Sequence, residues 1–240
     1  MRYKLTMSYD GTNYHGFQKQ KNSITVEEKL RDALFSIHKK PIETVASGRT
    51  DKGVHAFGQV VHFDSDVNMT EKQYLRALNS LLPNDIRVLS VEKEEMSFHA
   101  RHHVKVKTYM YVIAKEYSVF TRNHELYFPH DLDLNLLKEA LEKFVGVHDF
   151  FGFSGYVKGK PTIKEIYEAS MKVENNKIYI TFKGNGFLKY MVRRIVGTLL
   201  DVANKRKDIS VIDEIFKTKD ASLCGKTINP EGLYLVKVEY

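Results

Sequence analysis

The chain has 240 residues, a formal net charge of +7, 42% hydrophobic residues and 28% charged ones. That length carries one large domain or two small ones with proper cores, and the charge suits a polyanionic partner. No apolar run approaches the ~18–20 residues of a membrane span, the N-terminus lacks a secretory apolar core, and the single cysteine, Cys224, gives no disulfide framework or cysteine metal site, so the expectation is a cytoplasmic protein with no membrane association.

In chain order, residues 3–9 alternate and end at Asp10-Gly11, which predicts a strand and a turn. Thr25-Val26-Glu27-Glu28 reads as a capping box, and Val26, Leu30, Ala33, Leu34 and Ile37 share one helical face behind it. Residues 59–63 read as a strand. Thr70-Glu71-Lys72-Gln73 is a second capping box, whose helix carries Tyr74, Ala77, Leu78 and Leu81 up to Pro83-Asn84. Residues 86–91 and 108–113 are strand-like.

After a long loop, a helix is predicted over residues 134–145, closed by Gly146. Residues 165–173 and 177–182 form a hairpin around Asn175-Asn176. The strongest helix spans residues 187–203, with Leu188, Met191, Val192, Ile195, Leu199 and Val202 as its apolar stripe. A short helix over 211–216 and a closing strand over 233–240 complete the chain. The two halves have a similar strand–helix–strand make-up, with no Pro/Gly/Ser-rich linker between them. Two α+β lobes follow, residues 1–104 and 105–240, whose sheets could join.

The chemistry concentrates in Ser47-Gly48-Arg49-Thr50-Asp51-Lys52-Gly53-Val54-His55-Ala56. A carboxylate between two cations favours its ionised form if either cation is close in space. Such a carboxylate serves as nucleophile, general base or metal ligand, or it belongs to an Asx-type turn with solvated charges. Gly48 and Gly53 open backbone conformations closed to other residues.

Other groups compete for attention. His99, His102 and His103 cluster, but basic residues surround them and no acid is near in sequence, so exposed or phosphate-contacting histidines are expected rather than a metal site. Gly184-Asn185-Gly186 precedes the strongest helix, yet Lys189 stands where a dinucleotide fingerprint needs its third glycine. That helix N-terminus could still hold a phosphate of a polymer. On its wheel Lys189 and Arg193 fall on one flank of the stripe and Arg194 on the other, so periodicity does not decide which arginine meets an acid. Tyr109 and Tyr111 share a strand face, where a ring either stacks on a base or fills the core. The same choice applies to the 14 Tyr and 14 Phe as a whole.

Taken together, the segments resemble bacterial tRNA pseudouridine synthases of the TruA type, nearly end to end. The resemblance rests on Tyr9-Asp10-Gly11-Thr12 with Gly16-Phe17-Gln18, on the segment from Gly48 to Ala56, and on Ala77-Leu78-Asn79 with Leu82-Pro83. It continues through Phe98-His99-Ala100-Arg101, Lys107-Thr108-Tyr109-Met110-Tyr111 and His148-Asp149-Phe150. Gly186-Phe187-Leu188 with Met191-Val192-Arg193, and Glu231-Gly232-Leu233-Tyr234, complete it.

The resemblance implies two ferredoxin-like α+β lobes sharing one extended, mostly antiparallel sheet, with helices on one side and the active cleft on the other. It implies isomerisation of uridine at positions 38, 39 and 40 of the tRNA anticodon stem-loop, by a homodimer that needs no cofactor or metal. Asp51 matches the nucleophile, Tyr109 the tyrosine on the target uracil, and Arg193 the partner of the aspartate. Arg49 matches an arginine that holds RNA and helps extrude the nucleotide, and Lys52, His55, Arg101 and Lys189 are carried as further substrate contacts, with Gln18 as an arm residue. The chain departs from the pattern at Phe17, Glu27, His102 and Ile228, where Trp, Gln, Phe and a small residue are frequent. The rival readings are a noncatalytic RNA-binding or remodelling protein of the same fold, and a metal-dependent nuclease, which would want several acids near Asp51.

Overall fold

The computed structural model describes residues 1–155, 159 and 161–240. Its elements are β1 (Arg2–Tyr9), α1 (Val26–His38), β2 (Thr44–Ala46), β3 (His55–Asp64), α2 (Glu71–Leu81), β4 (Ile86–Glu94), β5 (Val106–Ala114) and β6 (Leu126–Tyr127). They continue with α3 (Leu134–Glu142), β7 (Gly146–Asp149), β8 (Ile163–Glu174), β9 (Lys177–Gly184), α4 (Met191–Ala203), α5 (Val211–Thr218) and β10 (Leu233–Glu239). The class is α+β and the strand pairing mostly antiparallel, as expected. Contacts divide the chain into two units, Met1–Lys105 with Tyr234–Tyr240, and Val106–Leu233. Among the described residues, no helix is long and apolar enough to cross a membrane.

The first unit runs β1-α1-β2-β3-α2-β4, with β4, β1 and β3 adjacent in that order and β2 beside β3. This is the split βαβ layout of a ferredoxin-like lobe. β1 buries every second residue, Tyr3, Leu5, Met7 and Tyr9, as a strand with one covered face must. Tyr3 lies opposite Phe63 in the register and stacks on it at 5.5 Å, and Tyr74 of α2 closes on Tyr3 at 4.7 Å. α1 adds Val26, Leu30, Ala33 and Leu34 to the core. β10 joins β3 in parallel, Tyr234 opposite His55 and Leu235 opposite Ala56.

The second unit has β5, β9, β8 and β7 side by side, with β6 against β5. β8 and β9 form the expected hairpin, and Asn175 and Asn176 both take positive φ (50° and 57°), which suits a twisted two-residue turn. α4 is buried along most of its length, from Met191 to Ala203. Phe144, Phe150, Phe153 and Phe216 form an aromatic cluster, largely edge to face.

Several boundaries differ from the sequence reading. α3 stops at Glu142, three residues early, and Gly146 (φ 109°) opens β7 instead of capping the helix. The short strands β2, β6 and β7 carry little periodicity of their own and exist because a longer strand pairs with them. At α1, Thr25 accepts from the Glu28 N–H, but the return bond of a capping box is made only at Thr70–Gln73 of α2. Removing that reciprocal cap with Thr70→Ala is expected to cost about 1 kcal/mol, read from urea unfolding midpoints.

Candidate active site

The segment from Ser47 to Val54 leaves β2 and enters β3, and buried side chains hold it at both ends. Ser47 donates from N to the Val60 carbonyl (2.8 Å) and from Oγ to Gln59 Oε1 (2.7 Å), while Gln59 Nε2 donates to the Gly48 carbonyl (3.0 Å). Thr50 Oγ1 meets the Tyr9 hydroxyl at 2.8 Å. Burial pushes the Tyr9 pKa up to about 12, so the phenol keeps its proton near neutral pH.

The chain before α1 wraps the other side. Phe17 N donates to the Thr50 carbonyl (3.2 Å) and Gly53 N to the Tyr14 carbonyl (3.2 Å). Two glycines allow this approach. A Cβ on Gly11 would stand 2.1 Å from the Val54 carbonyl oxygen, and one on Gly16 (φ 90°) 2.5 Å from that of Thr50. Gly53 also uses its freedom, at φ 77°, whereas Gly48 is not among the glycines of positive φ.

On this base the charged residues face outward. Arg49 and Lys52 are exposed and Asp51 is half-buried. Arg49 Nε donates to Gln18 Oε1 at 3.2 Å. His55 is on β3 and buried, not on the loop; its Nδ1 takes the Gly11 N–H at 3.0 Å, lies 3.2 Å from Asp10, and its ring stacks on Tyr234 at 4.8 Å. The structure thus places His55 beneath the loop, where it holds Gly11. Arg101 is exposed and reaches the Ala46 carbonyl (3.4 Å), where the loop begins. Its segment is anchored by His62, whose Nδ1 accepts from Ala100 N at 3.1 Å. In the histidine cluster, His99 Nδ1 is already taken by the N–H groups of Arg101 and His102.

The second unit gathers Tyr109, Lys189 and Arg193 around the turn before α4. Tyr109 is buried in β5, edge-on to Phe187 at 5.0 Å. Lys189 Nζ lies 4.7 Å from the Tyr190 ring centre, and the Arg193 guanidinium 5.4 Å from it. Tyr190 has φ 61° and the helix starts only at Met191. Lys189 is thus on the turn, not on the helical flank that the sequence assigned it, and the helix N-terminus is not adjacent to the two glycines. Arg193 Nε donates to the Ile228 carbonyl (2.6 Å), whereas Arg194 donates to Ser154 (2.5 Å) and Thr227 (3.3 Å). Tyr111 is buried, its hydroxyl bonded to the Asn229 carbonyl (2.6 Å). Burial drives its pKa well up, Glu231 adds to this, and the positive charge of Arg193 opposes it.

The sequence pattern of the tRNA pseudouridine synthase family matches residues 5–103 and 140–240. The chain belongs to that family. Three relatives, each a tRNA pseudouridine synthase A, match over the whole chain: from Geobacillus sp. at 44% identity (98% of its length), from Oceanobacillus iheyensis at 42% (96%) and from Exiguobacterium sibiricum at 38% (96%). Pseudouridine synthases are isomerases, and so is this protein. Tyr109 lies between the two matched segments, within the span of the full-length relatives.

In this pseudouridine synthase many motif residues are builders. Asn79 clamps Val88 of β4 through both its amide groups (2.9 and 2.8 Å). Asp149 accepts from Phe151 N and pairs with Lys219 at 2.6 Å, while His148 stacks on Phe216. Tyr9, Gln59, Gly11 and Gly16 support the Asp51 segment, a role that short-range pattern does not signal because their partners are distant in sequence.

Two outcomes follow. Gly11→Ala should lower stability by about 1–3 kcal/mol and speed hydrogen exchange at Gly53 and Val54, whereas Gly186→Ala, whose added methyl would come no nearer than 3.9 Å, should do neither. His62 is held near pKa 4 by burial first, with the charges of Arg2 and His99 adding to it. The unfolded imidazole, at 6.5, takes the proton first, so stability complete above that pH declines as pH falls towards 4. Unfolding free energies across this range should show that slope, and His62→Gln should flatten it.

Proposed function

We propose that this protein isomerises uridine to pseudouridine at positions 38, 39 and 40 of the tRNA anticodon stem-loop, with Asp51 as the nucleophile. The observation that carries the reading is the Asp51 segment itself: its backbone is fastened by buried groups on both flanks, while Arg49 and Lys52 stay exposed beside a half-buried carboxylate. Family membership supplies the reaction class.

The reaction breaks the N1–C1′ bond, turns the base and joins C5 to C1′. The C5 proton leaves and N1 gains one, so no electrons are exchanged with a cofactor. Two routes are open to Asp51, attack at uracil C6 or at ribose C1′, and both require the ionised carboxylate. We assign Arg193 to keep it ionised and oriented. Tyr109 contacts the target uracil and takes the C5 proton. The uridine must leave its stack to be reached, and Arg49, Lys52, Arg101 and Lys189 hold the RNA around it. A homodimer gripping one tRNA in the cytoplasm completes the proposal.

The test is pseudouridine mapping after incubation with unmodified tRNA in the presence of chelator. Product is expected at the stem-loop uridines, none with Asp51→Asn, and tRNA affinity should fall steeply with added salt. Product from Asp51→Asn removes Asp51 as nucleophile; binding without product favours the noncatalytic reading, and strand scission favours a nuclease.

A further inference from the structure

Glu27, on α1, is only 3% exposed, yet it carries a carboxylate. Its Oε1 accepts from Thr44 Oγ1 at 2.9 Å. Its Oε2 accepts from Lys19 N at 2.7 Å and from the side-chain amide nitrogen of Gln18. Its own N–H donates to the Phe17 carbonyl at 2.9 Å, so residues 17–19 are tied to this one residue by backbone and side chain together.

An ionised carboxylate only accepts hydrogen bonds. It therefore turns the NH2 of Gln18 inward, which leaves Gln18 Oε1 facing out. That oxygen is the acceptor of Arg49 Nε at 3.2 Å. The polarity of the Gln18 amide is thus set by a buried charge on one side and read by a guanidinium on the other. An apolar side chain at position 27 accepts nothing, and so leaves Gln18 two orientations. In one of them the Gln18 NH2 would confront the Arg49 N–H groups, donor against donor.

We propose that Glu27 is a positioning residue that, through Gln18, holds Arg49 in the orientation that meets RNA; this rests on the function proposed above. The carboxylate touches no substrate. It selects one orientation of Gln18, and Gln18 selects one orientation of an exposed, flexible arginine, which would otherwise lose rotamer freedom on meeting RNA.

The test is a cycle of variants assayed for kcat/KM on unmodified tRNA, with thermal midpoints recorded for each. Glu27→Met, which removes the acceptor, is expected to lower kcat/KM roughly tenfold, the size of one charge-assisted hydrogen bond. In an Arg49→Ala background the same change should cost less than about twofold, because the relay has lost its end. Glu27→Gln should retain most of the activity, because the Lys19 N–H holds the new amide oxygen in the place of Oε2, where it still accepts from the Gln18 NH2. A residue that only supported the fold would not show the dependence on Arg49. Should Glu27→Met prove unstable, Gln18→Met leaves Glu27 bonded to Thr44 and Lys19 and must show the same dependence. An unchanged kcat/KM in Glu27→Met, or equal losses in both backgrounds, overturns the inference. A wild-type protein that forms no pseudouridine overturns the functional reading instead.

Discussion

Gly11 passes Val54 with no room for a side chain between them; a Cβ there would meet the Val54 carbonyl at 2.1 Å. The end of β1 and the end of the Asp51 segment are locked together by that contact. Gly16 makes the same kind of approach to Thr50, at a positive φ that other residues rarely adopt. A loop carrying Arg49, Asp51 and Lys52 would otherwise be a mobile, solvated turn. Close backbone packing makes it a fixed platform, at the entropic cost of two flexible residues in the unfolded chain.

Beneath the platform lies a buried polar layer of Tyr9, Ser47, Thr50 and Gln59, each hydrogen-bonded to another. Such networks are costly when half-satisfied and rigid when complete. Here they occupy the loop backbone as well, since Gln59 takes the Gly48 carbonyl through its amide and Ser47 bonds to Val60. Glu27 extends the layer to the segment before α1. These buried motif residues hold the segment that carries Arg49, Asp51 and Lys52.

In the second unit the corresponding device is the break before α4. Tyr190, at φ 61°, ends the turn, and its ring is shared by the cations of Lys189 and Arg193. The apolar period of Phe187 and Leu188 continues that of the helix, so pattern alone runs the helix through them. What stops it is a left-handed residue with no local signature, tolerated because Gly155 leaves room beside the Tyr190 ring and donates its N–H to the Lys189 carbonyl.

By itself the sequence determined the α+β class, the long strands and helices, the two-asparagine hairpin and the clustered charge of the Asp51 segment. These are recorded locally, in the period of buried side chains, in caps three residues apart and in clustered charge. Only the tertiary structure decided that β2, β6 and β7 are strands, that His55 supports the loop, that α4 begins at Met191, and that Gln18 is bonded to Glu27 on one side and Arg49 on the other. Each of those depends on a partner brought close by folding, and a hydrogen bond between distant residues leaves no periodic trace in the chain.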